Sequence, residues 1–313
     1  MSQERILIIG AGGQIGVELT LALRKIYGTD HVIATDIREN HPLLQDGPFR
    51  HLNAMDAFRM LEIVKKEKIT QIYHLAALLS ATGEKDPKRA WDINMQSLLQ
   101  VLELGVQEKL TKIYWPSSIA VFGKTTPKQD TPQQTVVEPL TVYGISKYAG
   151  ELWCQYYYNR WGLDVRSLRY PGLISWKSEP GGGTTDYAVE IYHEALKHKK
   201  YTSFLDKGTY LPMMYMDDAI RGTIELMEAP VEKLQSRMAY NISAMSFAPE
   251  EIAASIQKEI PDFEISYAPD FRQQIANGWP QSIDDSAARE QWGWKHEFDL
   301  DKMTQDMLTN LKK

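Results

Sequence analysis

Three side chains in the middle of the chain have types and spacing that suit proton transfer. Tyr143 and Lys147 are four residues apart, so on a helix they share a face, and Ser118 precedes Tyr143 by 25 residues. The ordinary pKa of tyrosine is about 10, and a nearby ammonium group favours the phenolate. We therefore predict Tyr143 as a general base assisted by Lys147, with the Ser118 hydroxyl holding the oxygen that is deprotonated. Taken alone, a Tyr-x-x-x-Lys spacing also arises by chance.

A glycine turn near the start of the chain suits a dinucleotide. Gly10, Gly13 and Gly16 lie where the first predicted strand becomes the first predicted helix. Such a turn lets the backbone approach a pyrophosphate closely, and the N–H groups of the helix N-terminus meet the phosphates. The strand before and the amphipathic helix after favour a nucleotide site over a purely structural turn.

An acidic residue follows at the spacing expected for a ribose contact. Asp36 ends the second predicted strand, 20 residues after Gly16, and its carboxylate can accept hydrogen bonds from both ribose hydroxyls. The same charge would repel a 2′-phosphate, so NAD is favoured over NADP. Arg38 tempers this preference because an arginine can accommodate that phosphate, and Asp36 could instead cap a turn.

The elements that position these residues alternate between short apolar runs and longer helical patterns. This βαβαβ rhythm predicts an α/β fold with a Rossmann-type, doubly wound parallel sheet. We predict an NAD-binding domain over residues 1–172, with later elements near 212–245 returning to it. A smaller C-terminal substrate-binding lobe is predicted from 173–211 and 246–313. The predicted elements are strands at Arg5–Ile9, His31–Thr35, Gln71–Leu75, Lys112–Trp115, Val165–Arg169 and Ala239–Ile242, and helices at Ile15–Tyr27, Ala57–Glu67, Pro87–Lys109, Thr141–Trp161, Tyr187–Lys197, Asp217–Glu228, Pro249–Glu259 and Leu300–Leu311.

Composition narrows the class of protein. The 313 residues are 43 % hydrophobic and 24 % charged, as in ordinary globular proteins, and the net charge of −6 disfavours a nucleic-acid partner. Cys154 is the single cysteine, so no internal disulfide can form. We expect no metal site, because there is no His/Cys cluster with ligand spacing. The first strand begins too early to leave room for a signal peptide and no apolar run reaches 18 residues, so we expect a cytoplasmic protein without a membrane span.

Together these motifs resemble the extended short-chain dehydrogenase/reductase family, and the likeness runs along the whole chain. The resemblance implies Tyr143 as acid/base, Ser118 as its partner, and Lys147 as a ligand of the nicotinamide ribose that also lowers the tyrosine pKa. Asn94 would be a supporting polar residue. Leu75-Ala76-Ala77 would let the cofactor lie close to the backbone, although tight packing explains these small residues equally well. The matching positions are Gly10, Gly13, Gly16, Asp36, Leu75-Ala76-Ala77, Asn94, Ser118, Val121-Phe122-Gly123, Tyr143 and Lys147. We complete the candidate cofactor site with Gln14, Ile15, Ile37, Asp56, Tyr170 and Leu173.

Longer strings in the second half resemble the branch of this family that oxidises L-threonine. They are Arg169–Val189, Leu211–Ala219 and Trp279–Asp285. This likeness implies L-threonine as substrate and NAD as oxidant. Nucleotide-sugar 4-epimerases with bound NAD, or a non-catalytic dinucleotide sensor on the same fold, stay as alternatives.

The candidate substrate contacts follow a glycine-rich loop, Gly181–Gly183. Thr184, Thr185 and Asp186 open a predicted helix, whose N-terminus suits a small carboxylate, although plain helix capping by these residues is the competing interpretation. Ser80 is a second candidate anchor and Trp279 a candidate wall residue, against an ordinary loop serine and a core tryptophan.

The family resemblance also suggests a homodimer. The predicted helices Pro87–Lys109 and Thr141–Trp161 would form a four-helix bundle with those of a second copy. Tyr156, Tyr157 and Tyr158 would lie at or near that interface, or else pack inside.

Overall fold

Contacts along the chain define two compact units in the computed structural model, which describes residues 4–177, 179–181 and 183–312. The first unit comprises Met1–Ser117, Thr141–Leu168 and Thr223–Ala239. The second comprises Ser118–Leu140, Arg169–Gly222 and Tyr240–Lys313. The chain therefore crosses between the units several times.

A parallel sheet forms the centre of the first unit, as the apolar runs predict. Its strand order is β3-β2-β1-β4-β5-β7-β11, and β6 pairs with β7 beside this path. Register is parallel throughout the pairs of β1 with β2 and β4, of β4 with β5, and of β5 with β7. The strands are β1 (Ile6–Ile9), β2 (Val32–Asp36), β3 (Phe49–His51), β4 (Gln71–His74), β5 (Lys112–Tyr114), β6 (Ser117–Ser118), β7 (Val165–Tyr170) and β11 (Ala239–Asn241). The predicted α/β Rossmann-type fold is confirmed.

Helices follow the strands of the first unit, and their ends are set by local chemistry. They are α1 (Gln14–Tyr27), α2 (Ala57–Glu67), α3 (Ser80–Gly83), α4 (Pro87–Gln107) and α5 (Val142–Trp161). The hydroxyl of Thr141 accepts a hydrogen bond from Gly144 N and so caps the start of α5. Gly162 ends the same helix in the left-handed conformation, with φ of 70°. These two residues fix the place of the helix that carries Tyr143 and Lys147.

The second unit contains smaller sheets and the later helices. β10 pairs in parallel with β8 and antiparallel with β12, and β9 pairs in parallel with β13. The strands are β8 (Gly172–Ile174), β9 (Lys200–Ser203), β10 (Leu211–Tyr215), β12 (Met245–Phe247) and β13 (Glu264–Tyr267). The helices are α6 (Tyr187–His198), α7 (Met216–Glu228), which crosses into the first unit, α8 (Pro249–Glu259), α9 (Phe271–Gly278), α10 (Ser286–Trp292) and α11 (Leu300–Leu311).

The expected and observed elements agree best where the chain is strongly apolar or strongly periodic. Helices α2, α8 and α11 have the predicted bounds, and the other predicted elements differ by one or two residues. The structure also contains elements that the sequence patterns did not predict: β3, β6, β8, β9, β10, β12 and β13 and the short helices α3, α9 and α10. These elements are short, and several of the strands are partly exposed, so neither a long apolar run nor a helical period marks them.

Candidate active site

The glycine turn has no room for larger residues. Gly10 adopts φ of +88°, and a Cβ added there would lie 2.7 Å from the amide nitrogen of Ala76. A Cβ on Gly16 would lie 2.3 Å from the carbonyl oxygen of Gly10. Gly13 is the N-cap residue of α1, and no side chain caps this end of the helix. The structure therefore leaves the N-terminus of α1, which Gln14 and Ile15 begin, uncapped for a phosphate group.

Asp36 connects the end of β2 to the glycine turn. Its carboxylate accepts from Gly12 N at 3.0 Å, from Arg38 N at 3.0 Å and from Arg38 Nε at 3.1 Å. Burial alone would raise the pKa of Asp36, but hydrogen bonds from the Arg38 side chain and backbone and from Gly12 lower it below its ordinary value. The group is therefore an anion at neutral pH, and the nearby arginine is ion-paired with it.

The backbone after β4 runs close beside β1. Leu75 N and Ala76 N donate to the carbonyl oxygen of Ile9, at 2.8 and 3.1 Å. Ala76 is also the residue that a Cβ on Gly10 would strike. The lack of a side chain at Gly10 therefore lets the glycine turn pack directly against the backbone of Ala76.

Asn94 ties the loop after β4 to helix α5. Its side-chain amide accepts from Leu78 N at 2.8 Å and donates to Leu78 O at 3.1 Å. The same amide nitrogen donates to Ser146 Oγ at 3.2 Å, and that hydroxyl donates to Tyr143 O at 2.7 Å. Asn94 is thus one end of a hydrogen-bonded chain that reaches the turn of α5 carrying Tyr143. Ser146 was not predicted as a site residue, although it lies between Tyr143 and Lys147 in the sequence.

Tyr143 and Lys147 share one face of α5, as their spacing predicts. The ammonium nitrogen of Lys147 lies 5.5 Å from the centroid of the Tyr143 ring and 4.4 Å from that of the Trp115 ring. It donates to the carbonyl oxygen of Pro116 at 2.6 Å. Tyr143 is half-buried, whereas Lys147 is only 3 % exposed. The cation is therefore withdrawn from solvent next to the phenol that it is predicted to activate.

Burial has a large effect on Lys147. Loss of hydration lowers its pKa to about 7, while Cys154 and Glu151 act in the opposite direction. Near neutral pH the ammonium and amine forms are consequently close in free energy. A negative group near Lys147 therefore increases the fraction of this lysine that is in the ammonium form.

His74, at the end of β4, is a core histidine. Burial, with a further contribution from the charge of Lys147, lowers its pKa to about 3. Its Nε2 lies 2.9 Å from the Ser97 hydroxyl. The imidazole is therefore neutral and takes no proton from Tyr143 at ordinary pH.

Ser118 follows directly after a segment that α5 holds. The hydroxyl of Ser117 donates to Glu151 Oε1 at 2.5 Å, and both residues are buried. Ser118 begins the second unit, and its Oγ accepts from Ala120 N at 3.2 Å. Neither Ser117 nor Glu151 was predicted as a site residue, although the spacing of Glu151, four residues after Lys147, places both on one helical face.

Three other candidates of the first unit lie at the ends of helices or strands. Ile37 follows β2 and is 60 % exposed. Asp56 caps α2 by accepting from Arg59 N at 2.9 Å. Ser80 is 7 % exposed and is the first residue of α3, so it lies in a helical turn and not in the loop that was expected.

The candidate substrate residues of the second unit gather at the start of α6. Thr184 is 1 % exposed, and within the described part of the chain its hydroxyl oxygen has no hydrogen-bond partner. A Cβ on Gly172 would lie 2.8 Å from Thr185 Cβ, so the chain after β7 passes close to this turn. Asp186 stands at the N-cap position, but its carboxylate accepts from Gly183 N at 2.8 Å and not from a helix N–H. Gly182, the middle glycine of the loop, lies outside the described residues.

The last candidates of the second unit are largely buried. Tyr170, at the end of β7, is 4 % exposed, and Leu173 is half-buried in β8. Trp279, directly after α9, is 7 % exposed, and its carbonyl oxygen accepts from Lys128 Nζ at 3.2 Å.

Across residues 4–177, 179–181 and 183–312, no three His, Cys, Asp or Glu side chains are grouped so that they could hold a metal ion. No helix in this part of the chain is long and apolar enough to cross a membrane.

A glycine turn at the start of α1, an acidic residue at the end of β2 and a Tyr-Lys pair on one helix are together typical of a dinucleotide-dependent enzyme of the Rossmann class. The model of the NAD dependent epimerase/dehydratase family matches residues 6–243. The chain belongs to that family, as the sequence predicts, and NAD as its cofactor is confirmed.

Individual relatives point to one branch of the family. An uncharacterized epimerase/dehydratase from Staphylococcus aureus is 54 % identical, over 97 % of this chain and 96 % of its own. The holo form of a GalE-like L-threonine dehydrogenase from Cupriavidus necator is 57 % identical, with a TM-score of 0.95 over 98 % of this chain and 99 % of its own. A monomeric L-threonine 3-dehydrogenase from a metagenome is 49 % identical, with a TM-score of 0.94 over 98 % of each chain.

Proposed function

We propose that this chain oxidises L-threonine at its β-hydroxyl with NAD and produces L-2-amino-3-oxobutanoate. The observation that carries the proposal is the buried Lys147 ammonium 5.5 Å from the Tyr143 ring, on the helix that an Asn94–Ser146 chain fixes. The similarity to L-threonine dehydrogenases supports this choice of substrate.

The residues of the first unit fit the cofactor. The glycine turn forms a cradle that a Cβ at Gly10 or Gly16 would fill, and the uncapped α1 suits the pyrophosphate. Asp36 would bind the ribose hydroxyls of the adenosine half, and Lys147 those of the nicotinamide half. When bound, NAD supplies the oxidising power by accepting a hydride at C4 of its nicotinamide ring.

Tyr143 moves the proton in this proposal. As phenolate it takes the proton of the β-hydroxyl, while the hydrogen on the β-carbon leaves with its electron pair and a carbonyl forms. Lys147, as ammonium, stabilises the phenolate, and Ser118 donates to the substrate oxygen. The product is a β-keto acid, which can lose carbon dioxide to give aminoacetone or be consumed by a ligase that leads to glycine.

We assign the amino-acid end of the substrate to the second unit as the substrate-binding lobe. The buried hydroxyl of Thr184 without a described partner supports this assignment, because a buried polar atom normally has one. Thr185 and Asp186 would complete the site, with Ser80 as a further carboxylate anchor and Trp279 as a wall. The cofactor site would be completed by Ile37, Asp56, Ala77, Tyr170 and Leu173.

We also propose a cytoplasmic homodimer formed through α4 and α5. The exposed face of α5 is rich in apolar residues: Ile145, Leu152, Trp153, Tyr156 and Trp161 are each at least 39 % exposed. An open cavity of about 490 Å³ lies beside it between α2, α4 and α5. Tyr157 is buried in this unit and Tyr158 stacks on Arg237, so of the three tyrosines Tyr156 is the one that would contact a partner.

Light scattering tests the dimer. Trp153→Glu should halve the molar mass, whereas Phe271→Glu, at an exposed aromatic residue of the second unit, should leave it unchanged. A wild-type chain that is monomeric at micromolar concentration would remove the dimer and leave the chemistry untouched.

The reaction itself is tested by following NADH absorbance with L-threonine, and with D-threonine, L-serine and a UDP-hexose in parallel. An increase in NADH absorbance with L-threonine, and with none of the other compounds, supports the proposal. Conversion of the UDP-hexose without net NADH, and no reaction with amino acids, would favour a 4-epimerase. NAD binding without any turnover would favour a dinucleotide sensor.

A further inference from the structure

Helix α5 holds three consecutive residues that lead directly to Ser118. The Lys147 ammonium lies over the Trp115 ring at 4.4 Å and donates to Pro116 O at 2.6 Å. One turn further along the helix, the Glu151 carboxylate accepts from the Ser117 hydroxyl at 2.5 Å. Side chains at positions i and i+4 thus contact Trp115, Pro116 and Ser117 in order.

The close approach of α5 to the segment Trp115–Ser117 depends on Gly150. A Cβ at this position would lie 2.3 Å from the Trp115 ring and 2.9 Å from a Leu98 methyl group. The absence of a side chain brings α5 onto the segment and buries Glu151 completely. A buried carboxylate is costly unless it is paired and hydrogen-bonded, so its presence here calls for a role.

The charge of Glu151 also acts on Lys147. The titratable groups facing Lys147 are Tyr143, Glu151 and Cys154 on α5 and His74 at the end of β4. Burial raises the pKa of the Cys154 thiol, and neighbouring Glu151 raises it further, so the thiol stays neutral near pH 7. His74 is neutral as well. Apart from the base Tyr143 itself, Glu151 is therefore the group whose negative charge favours the ammonium form of Lys147.

We propose that Glu151 is a positioning residue for the Tyr143–Lys147–Ser118 chemistry: its carboxylate keeps Lys147 cationic and, through Ser117, fixes the segment that ends at Ser118. This inference rests on the proposed function only in that its main assay uses L-threonine. The effect on Lys147 depends on the charge of Glu151, whereas the effect on the segment depends on the hydrogen bond from the Ser117 hydroxyl. Different substitutions can therefore separate the two effects.

Glu151→Gln keeps a hydrogen-bond acceptor for Ser117 but removes the charge. The pKa of Lys147 should fall, so the alkaline limb of the kcat profile should move to lower pH by about one unit or more. Glu151→Asp keeps the charge, so the alkaline limb of its kcat profile should lie close to the wild-type position. Ser117→Ala keeps the charge and removes the hydrogen bond, so it should lower kcat about tenfold at every pH without moving the limb.

The kcat profiles of wild type and the three variants therefore decide the proposal. A Glu151→Gln profile that superimposes on the wild-type profile overturns it, as does an equal limb shift in Ser117→Ala. If the wild-type protein does not oxidise L-threonine, the proposed function is wrong, but the proposed role of Glu151 is still open to test. The shift in the Lys147 pKa is then measured in the NAD-free protein, from the pH dependence of unfolding.

A Glu151→Gln chain that does not fold is recognised by circular dichroism, and Glu151→Asp and Ser117→Ala then carry the test. A limb displaced in Ser117→Ala would refute the assignment of charge to Glu151.

Discussion

Replacing Lys147 by methionine should raise the stability of the NAD-free protein near neutral pH. Burial lowers the pKa of this lysine to about 7 from 10.5. Between these values the unfolded chain binds more protons than the folded chain, so the free energy of unfolding rises with pH. The penalty for burying the cation is present in full below pH 7 and disappears above pH 10.5.

The size of the effect follows from the shift. Linkage gives a penalty of about 4 kcal/mol at pH 7 and about 2 kcal/mol at pH 9. Methionine loses the hydrogen bond to Pro116 and the contact of the charge with Trp115, which offsets part of the gain at any one pH. These lost contacts do not affect how stability changes with pH. Between pH 7 and pH 9, the free energy of unfolding of the wild type should rise by about 2 kcal/mol relative to that of Lys147→Met.

Urea unfolding at pH 7 and pH 9, at one protein concentration, measures this difference. The range stops at pH 9 because tyrosines with raised pKa, such as Tyr27, begin to destabilise the folded state above pH 10. Lys66→Met, at an exposed lysine of α2, is the matched control and should follow wild type. Equal pH dependence in wild type and Lys147→Met would refute the argument that Lys147 is buried as a weak base.

Three further predictions concern the cofactor and the proton. Tyr143→Phe should bind NAD with nearly unchanged affinity in a fluorescence titration but lose at least 100-fold in kcat; near-normal turnover would remove Tyr143 as the base. Asp36→Asn removes a hydrogen-bonded charge and releases Arg38, so the ratio of kcat/KM for NAD over NADP should fall about tenfold or more; an unchanged ratio would separate Asp36 from the ribose. Gly10→Ala should lower both the melting temperature and the affinity for NAD, because φ of +88° and the 2.7 Å approach to Ala76 N both exclude a Cβ; retention of both would show that the turn relaxes freely.

The parts of the fold that sequence predicts are those where one physical signal dominates. Strand β1 is four buried apolar residues, and α2 has a capping aspartate with a clear apolar stripe, so both were predictable. Strand β9 alternates exposed and buried residues and β13 alternates exposed and half-buried residues, each over only four positions, which is too short for a clear pattern. They exist because they pair with each other across about 60 residues of chain, and a local pattern carries no information about such pairing.

The candidate site divides in the same way. Spacing placed Tyr143 and Lys147 on one helical face, and the glycines marked the junction of the first strand and the first helix. The contacts around them come from distant chain: Pro116 lies 31 residues before Lys147, and Ser117 lies 34 before Glu151. That Lys147 is buried could not be predicted either, because lysine is usually exposed and its contacts with Trp115 and Pro116 join parts of the chain that are far apart in sequence.

The burial of Lys147 connects the stability of the fold to its proposed chemistry. A lysine whose pKa lies near 7 in the cofactor-free chain is poised between two protonation states, and only one of them supports a phenolate. Pro116 O, the Trp115 ring and Glu151 each favour the cation, and each also recovers part of the free energy that its burial costs. A substitution that made the site more stable, such as methionine, would therefore remove the group on which the proton transfer depends. The same residues that limit stability near neutral pH are those we expect the reaction to need.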